Sequence, residues 1–208
     1  RKIIKQSKTG DKEAIAEKGC LEDAIKTVNE GLQLRNIELS EDQNKFLKPL
    51  MLLTLKPILY VANVDEFEIQ SCKRGPLTEK LFNYAKEKGC KAIRLCGNIE
   101  MEISTMPEED RKIFLEEYNL SEPGLFKLIS SAYKLLGLET FFTAGEKEVR
   151  AWTVAQNTTA PQAAGVIHTD IERGFIKAEI YHFDELMSYK SESALKDAGK
   201  IRLEGKNY

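Results

Sequence analysis

A chain of 208 residues is long enough for one large hydrophobic core or two small ones. Its 31 Lys and Arg nearly balance 33 Asp and Glu, so at a net charge of −2 no whole-molecule field draws it to nucleic acid. The one basic cluster, Lys2, Lys5, Lys8 and Lys12 beside Arg1, reads first as a solvated helix end. Cys20, Cys72, Cys90 and Cys96 show no CxxC spacing and no neighbouring histidine. That speaks against a zinc site or a disulfide framework and for a reduced, cytoplasmic setting. No apolar run approaches the roughly 18 residues of a membrane span, and no signal peptide is recognisable. The chain starts without Met inside a helical pattern, so a fragment, or a chain missing its front, is expected.

In chain order, Ile3 and Ile4 close a helix that Thr9-Gly10 breaks. Residues 11–31 form a second helix, capped by Asp11, with Leu21, Ile25, Val28 and Leu32 as its apolar stripe. The pair predicts a helical hairpin or coiled coil. Ser40 and Gln43 make a capping box for a short helix carrying Phe46, Leu47 and Leu50. Pro57 opens a strand over residues 58–62, an unbroken apolar run of the kind buried on both faces of a parallel sheet. A helix starts at Pro76, turns Leu77, Leu81, Phe82 and Ala85 inward, and ends at Gly89; the next strand spans 91–96. This strand–helix–strand order predicts an α/β unit. Two helices follow at about 107–118 and 122–136, bracketed by Pro107 and Gly137. Residues 148–154 then alternate as a strand, with Val149, Ala151 and Thr153 on one face. Residues 155–163 read as a loop, and the segment from Gly174 as a strand. The last eight residues read as a strand opening a hairpin whose return is missing. The fold class is α/β followed by α+β.

Ligands of open α/β sheets sit beyond the carboxyl ends of the strands. Asn63 and Glu66 stand at that end of the first strand, and Cys96, Gly97 and Asn98 at that end of the second. An amide offers a donor and an acceptor, a carboxylate offers acceptors, and a glycine turn lets a flat ring approach backbone amides. Together they suit a nucleobase edge; by itself a four-residue NxxE is equally a turn cap. Elsewhere, His168 two residues before Asp170 suggests a general base, yet no Ser or Cys nucleophile stands beside it and a structural role is expected. His182 and Trp152 read as structural. Arg150, Arg173 and Lys177 form a candidate basic face for RNA or a partner.

Asn63-Val64-Asp65-Glu66 resembles the base-recognition motif of P-loop GTPases, with Glu where Asp is usual. NxxE here, followed by residues 96–100, is similar to the YchF or Obg-like ATPase family. The block 141–180 resembles a signature of that family, and residues 36–66 fit the exit from its helical hairpin, so the likeness spans essentially the whole chain. It implies a coiled-coil insertion over 1–50, the back of a P-loop nucleotide domain over 51–140, and a β-grasp TGS domain over 141–208, lacking its last strands. It implies that Asn63, Val64, Glu66, Cys96, Gly97 and Asn98 read the base of ATP, with GTP as the alternative. It further implies Mg²⁺ in the complete protein, contact with ribosome or RNA, and a protein partner on the helical hairpin. No GxxxxGK[ST] occurs in these residues, so the chain alone is expected not to hydrolyse nucleotide, and a docking module is the competing reading.

Overall fold

The computed structural model describes residues 2–71, 73–145 and 148–208; Arg1 and Cys72 lie outside them. The chain divides after Leu135 into two compact units.

In the first unit, α1 (Lys2–Lys8) and α2 (Lys12–Asn29) fold back on each other across a turn in which Gly10 takes a φ of 84°. The Asp11 carboxylate accepts from the amides of Glu13 and Ala14, as a cap should. The buried face of α2 keeps only Leu21 of the expected stripe, packed on the first core. Ala14, Cys20 and Ala24 are buried, whereas Ile25, Val28 and Leu32 are exposed. The reason is steric: small side chains let α1 and the following segment come close. Cys20 and Ala24 form one core with Leu34 and with Leu47 of α3 (Glu41–Leu47). The Ser40–Gln43 capping box is formed in both directions.

β1 (Leu59–Asn63) and β2 (Lys91–Leu95) pair in parallel, with Asn63 opposite Leu95. Each is displaced slightly from expectation: β1 runs on to Asn63, and Cys96 leaves β2. Burial of β1 on both faces does not hold, since Ala62 is buried and Val61 is exposed; among the described residues β1 pairs with β2 alone. α4 (Glu66–Gln70) and α5 (Pro76–Glu87) lie between the strands in sequence. On α5 the inward positions are Thr78, Leu81, Phe82 and Ala85, and Leu77 is 83% exposed. Residues 78, 81, 82 and 85 follow the i, i+3, i+4, i+7 rule, and Leu77 lies off that stripe. β2 leads directly into α6 (Gly97–Thr105), where a turn was expected. α7 (Glu108–Glu117) and α8 (Gly124–Leu136) follow. Ile69 of α4, Cys96, and Ile99 and Ile103 of α6 form the second core, with Phe114, Leu115 and Tyr118 from the α7 region packed on it.

The second unit holds an antiparallel pair, β3 (Leu138–Ala144) and β4 (Val149–Ala155), with Phe141 opposite Trp152. The strand β3 has no counterpart in the sequence reading. On β4 the inward residues are Trp152 and Val154, the face opposite Val149, Ala151 and Thr153. The expected loop 155–163 is half helix: Thr159 and Gln162 make a capping box, Pro161 sits in the first turn, and α9 (Ala160–Ile167) begins. α10 (Thr169–Arg173) follows. The strand after Gly174 shrinks to β5 (Ala178–Ile180), and α11 (Phe183–Tyr189) and α12 (Glu192–Asp197) come next. The final strand, β6 (Arg202–Glu204), pairs antiparallel with β5, so its partner lies upstream of it. Leu195, fully buried, with Phe175, is part of this unit's interior.

Candidate functional site

β1 ends on Asn63 because Val64 turns away after one more ladder bond, its N–H donating to Leu95 O at 2.9 Å. That leaves Asn63 at the carboxyl edge with its side chain free to cross to the neighbouring loop. It does so: Asn63 Oδ1 accepts from the Gly97 N–H at 2.9 Å. The donor settles the orientation of the amide, with oxygen toward Gly97 and Nδ2 with its two hydrogens pointing elsewhere. Gly97 allows this approach, since a Cβ there would stand 3.3 Å from Oδ1. Gly97 opens α6, so Asn63 caps that helix from across the sheet, and the positive end of the α6 dipole lies at the same edge.

The other expected site residues divide into two sets. Gly97 and Asn98 are exposed in the first turn of α6, beside Asn63. Cys96 is 3% exposed, so its thiol faces the core and cannot meet a base; its carbonyl accepts from the Glu100 N–H. Val64 packs against the same core, and its N–H is spent on Leu95. Glu66 is the first residue of α4 and half-buried, near the Tyr118 phenol at the end of α7. That phenol is held above its ordinary value, first by burial and then by the nearby Glu66 and Glu102 carboxylates.

Three residues of this region were not singled out from sequence. Asp65 caps α4 by accepting from the Glu68 N–H at 2.7 Å; an Asp three residues before Glu68 was the available signal. Glu100 accepts from the Gly124 and Leu125 N–H groups at 2.7 and 2.9 Å, seating the start of α8 on α6. Gly124 has room only as glycine: a Cβ would come 2.7 Å from Glu100 Oε1 and 3.0 Å from Leu95 Cβ. Tyr118 gave no local signal at all. A cavity of about 190 Å³ lies beside this clamp, lined by Arg94, Cys96, Glu100, Asn119 and Lys127 among others. Among the described residues, no three of His, Cys, Asp and Glu converge to hold a metal ion.

In the second unit Arg150 stacks on Trp152 at 4.1 Å and pairs with Glu148 at 3.7 Å. Arg173 and Lys177 are exposed, at the end of α10 and just before β5. Trp152 Nε1 donates to Thr143. His168 caps α10: its Nδ1 accepts from the Asp170 N–H at 3.2 Å and stands 3.5 Å from the Asp170 carboxylate. His182 occupies the N-cap position of α11. Among the described residues no helix is long and apolar enough to cross a membrane.

The fold and this edge define an α/β protein with an Asn-x-x-Glu turn beyond a parallel strand pair, followed by an α+β unit. Known proteins of that description resemble the chain along its whole length. The YchF-GTPase_C family, described as a protein of unknown function (DUF933), matches residues 138–208. The "Ribosome-binding ATPase YchF" of Haemophilus ducreyi is 42% identical over 208 residues, all of this chain and 56% of that protein. Its namesake from Bacillus subtilis is 43% identical over 207 residues, again all of this chain and 57% of that protein. The solved YchF GTPase of Schizosaccharomyces pombe superposes with a TM-score of 0.80 at 34% identity, covering 95% of this chain and 53% of that one. The chain belongs to the YchF family. It spans about 56% of the length of the curated relatives it matches.

Proposed function

We propose that this chain carries the base-reading part of a nucleotide site in a ribosome-associated, nucleotide-hydrolysing protein of the cytoplasm. The observation that carries this is Asn63, posted at the carboxyl edge of β1 with its oxygen locked on Gly97 and its amide hydrogens left over. Those hydrogens suit N7 of a purine, and the second lone pair of Oδ1 suits the 6-amino group of adenine, the edge an amide reads in DNA. Gly97 and Asn98 offer the start of α6 to the same ring, while Val64 and Cys96 support it from the core. Glu66 favours ATP, with GTP as the alternative, because the usual Asp accepts from guanine N1–H and its 2-amino group and adenine has neither donor. On this reading residues 1–50 belong to a helical insertion, 51–140 to the nucleotide domain and 141–208 to a β-grasp TGS domain. Phosphate and Mg²⁺ chemistry belong to the P-loop segment of the family. The names of the relatives, one set called ribosome-binding ATPases and one a GTPase, support nucleotide binding and ribosome association.

The test is equilibrium titration of the full-length natural protein with ATP and GTP. Asn63→Ala is expected to weaken ATP binding by roughly tenfold or more, from the loss of two base contacts. Glu66→Asp is expected to shift the preference toward GTP by roughly tenfold, because a shorter carboxylate returns to guanine's donor edge. Unchanged ATP affinity in the first variant removes Asn63 from the site. An unchanged ATP/GTP ratio in the second removes Glu66 from discrimination.

The second reading is a docking module, favoured by Arg173 and Lys177 standing exposed on one unit that also displays the Arg150–Trp152 stack. Charge at such positions suits RNA phosphate and a stacked aromatic suits a base. Cosedimentation with ribosomes that survives loss of nucleotide binding in Asn63→Ala is the result this reading requires.

A further inference from the structure

We infer that a groove around Arg35 is a docking site for the carboxyl end of a peptide chain. The guanidinium takes the terminal carboxylate, and the groove walls take an aliphatic last side chain. This is independent of the nucleotide reading above, since the groove shares no lining residue with the edge at Asn63 and Gly97.

The groove lies in the first unit and holds about 270 Å³. Leu34, Ile37, Leu39, Leu55 and Pro57 form its walls, and Arg35 and Asn44 are its polar groups. The first core sets the frame: Leu34 is fully buried in it, and Leu39 and Leu55 pack against it. Leu34 and Arg35 stand in a short 3-10 turn, Leu34–Asn36, and the Arg35 N–H donates to Thr54 O at 2.9 Å. That bond ties the turn to the segment that carries Leu55 and Pro57. Asn44 of α3 donates from Nδ2 to Leu39 O at 3.3 Å, and its Oδ1 is an acceptor.

The Arg35 side chain is half-buried, and its charge is poorly met from within. Nε donates to Gln33 Oε1 at 2.8 Å, while Nη1 is buried without an acceptor. Among the described residues no carboxylate stands within ion-pair distance of the guanidinium. A cation partly desolvated without a counter-charge is unfavourable, and an unpaired N–H adds to that. An anion entering the groove offsets both, because the charge is spread over the whole group and the planar fork fits the two oxygens of a carboxylate.

The rest of the groove says which carboxylate. Its volume falls below the roughly 300–1,000 Å³ of drug-sized sites, so it admits one residue rather than a strand passing through. A chain end carries its carboxylate and its side chain on one Cα, so both reach a cleft where a cation adjoins apolar walls. Asn44 Oδ1 accepts the last peptide N–H. An internal Asp or Glu spends its side chain on the charge and brings no apolar group to the walls.

The experiment measures fluorescence anisotropy with the full-length natural protein and a fluorescein-labelled hexapeptide, Gly-Ser-Gly-Ser-Ala-Leu. Three forms are compared: the free acid, the C-terminal amide, and an amidated peptide with Asp in place of Leu. The wild type is expected to bind the free acid roughly tenfold more tightly than either amide. Arg35→Gln is expected to erase that difference. Arg35→Lys is expected to weaken acid binding roughly tenfold, because an ammonium keeps the charge and loses the fork. Ile37→Ser probes the same groove on a wall residue already exposed, and is expected to weaken acid binding several-fold even if the Arg35 variants fail a thermal melt. Equal binding of acid and amide, or no binding to the wild type, overturns the inference. An acid preference that survives Arg35→Gln places the carboxylate elsewhere and overturns it too, as does unchanged acid binding in Ile37→Ser. Binding of the amidated Asp peptide as tight as that of the free acid overturns the chain-end assignment.

Discussion

Ile99→Ala is expected to lower the unfolding free energy of the first unit by about 2–5 kcal/mol. Ile99 is 1% exposed and touches the residues that hold this unit's second core together, Ile69, Cys96 and Ile103. Truncation removes methyl and methylene groups from water-free surroundings and leaves a cavity that Val64, Phe114 and Leu120 close only in part. The site feels it as well, because this core lies behind both the NxxE turn and the start of α6. The measurement is urea unfolding followed by helix circular dichroism. Fluorescence of the one tryptophan, Trp152, is the wrong probe because it lies in the second unit. A loss below about 1 kcal/mol would show that Ile99 sits on a surface rather than in a core.

Glu100→Ala is expected to cost about 2–3 kcal/mol, and Glu100→Gln about half of that. Both carboxylate oxygens accept from backbone amides, Gly124 at 2.7 Å and Leu125 at 2.9 Å, at the positive end of a helix of 13 residues. Alanine strips both acceptors and the charge; glutamine keeps one acceptor and no charge. Amide hydrogen exchange reads this locally. The Gly124 and Leu125 amides should exchange much faster in the alanine variant, with the middle of α6 still protected. Equal protection of those two amides in wild type and alanine variant would place their bonds elsewhere.

Both predictions fall on α6, the element least visible in the sequence. Its residues, GNIEMEIST, begin with glycine and end with β-branched and hydroxyl side chains, all weak helix formers. Tertiary contacts override that: Asn63 caps the first turn, and Ile99 and Ile103 bury one face. By contrast α2, α3 and α5 were legible because their starting signals are local: Asp11, the Ser40–Gln43 box and Pro76. Faces were less legible than boundaries. Leu77 attracted an inward assignment by hydrophobicity, yet the inward arc runs through Thr78, Leu81, Phe82 and Ala85. On α2 Ile25 and Val28 stand outside while Leu21 packs on the core. β3 escaped notice because Phe141 and Phe142 are adjacent and so point to opposite faces, which blurs a period of two; only pairing with β4 resolves it. At the site, Asn63, Gly97 and Asn98 were legible from position at a strand end. The bond from Gln70 of α4 to Glu117 O at the end of α7 was not, since the two stand far apart in sequence.

The contact between Asn63 and Gly97 also ties the steric allowance at one position to the side chain at the other. With Oδ1 2.9 Å from the Gly97 nitrogen and 3.3 Å from where a Cβ would go, any side chain at 97 asks the Asn63 amide to give by a few tenths of an ångström. A methyl at 97 is therefore expected to be easier to place once residue 63 is shortened to serine or alanine, so the two substitutions should be less than additive.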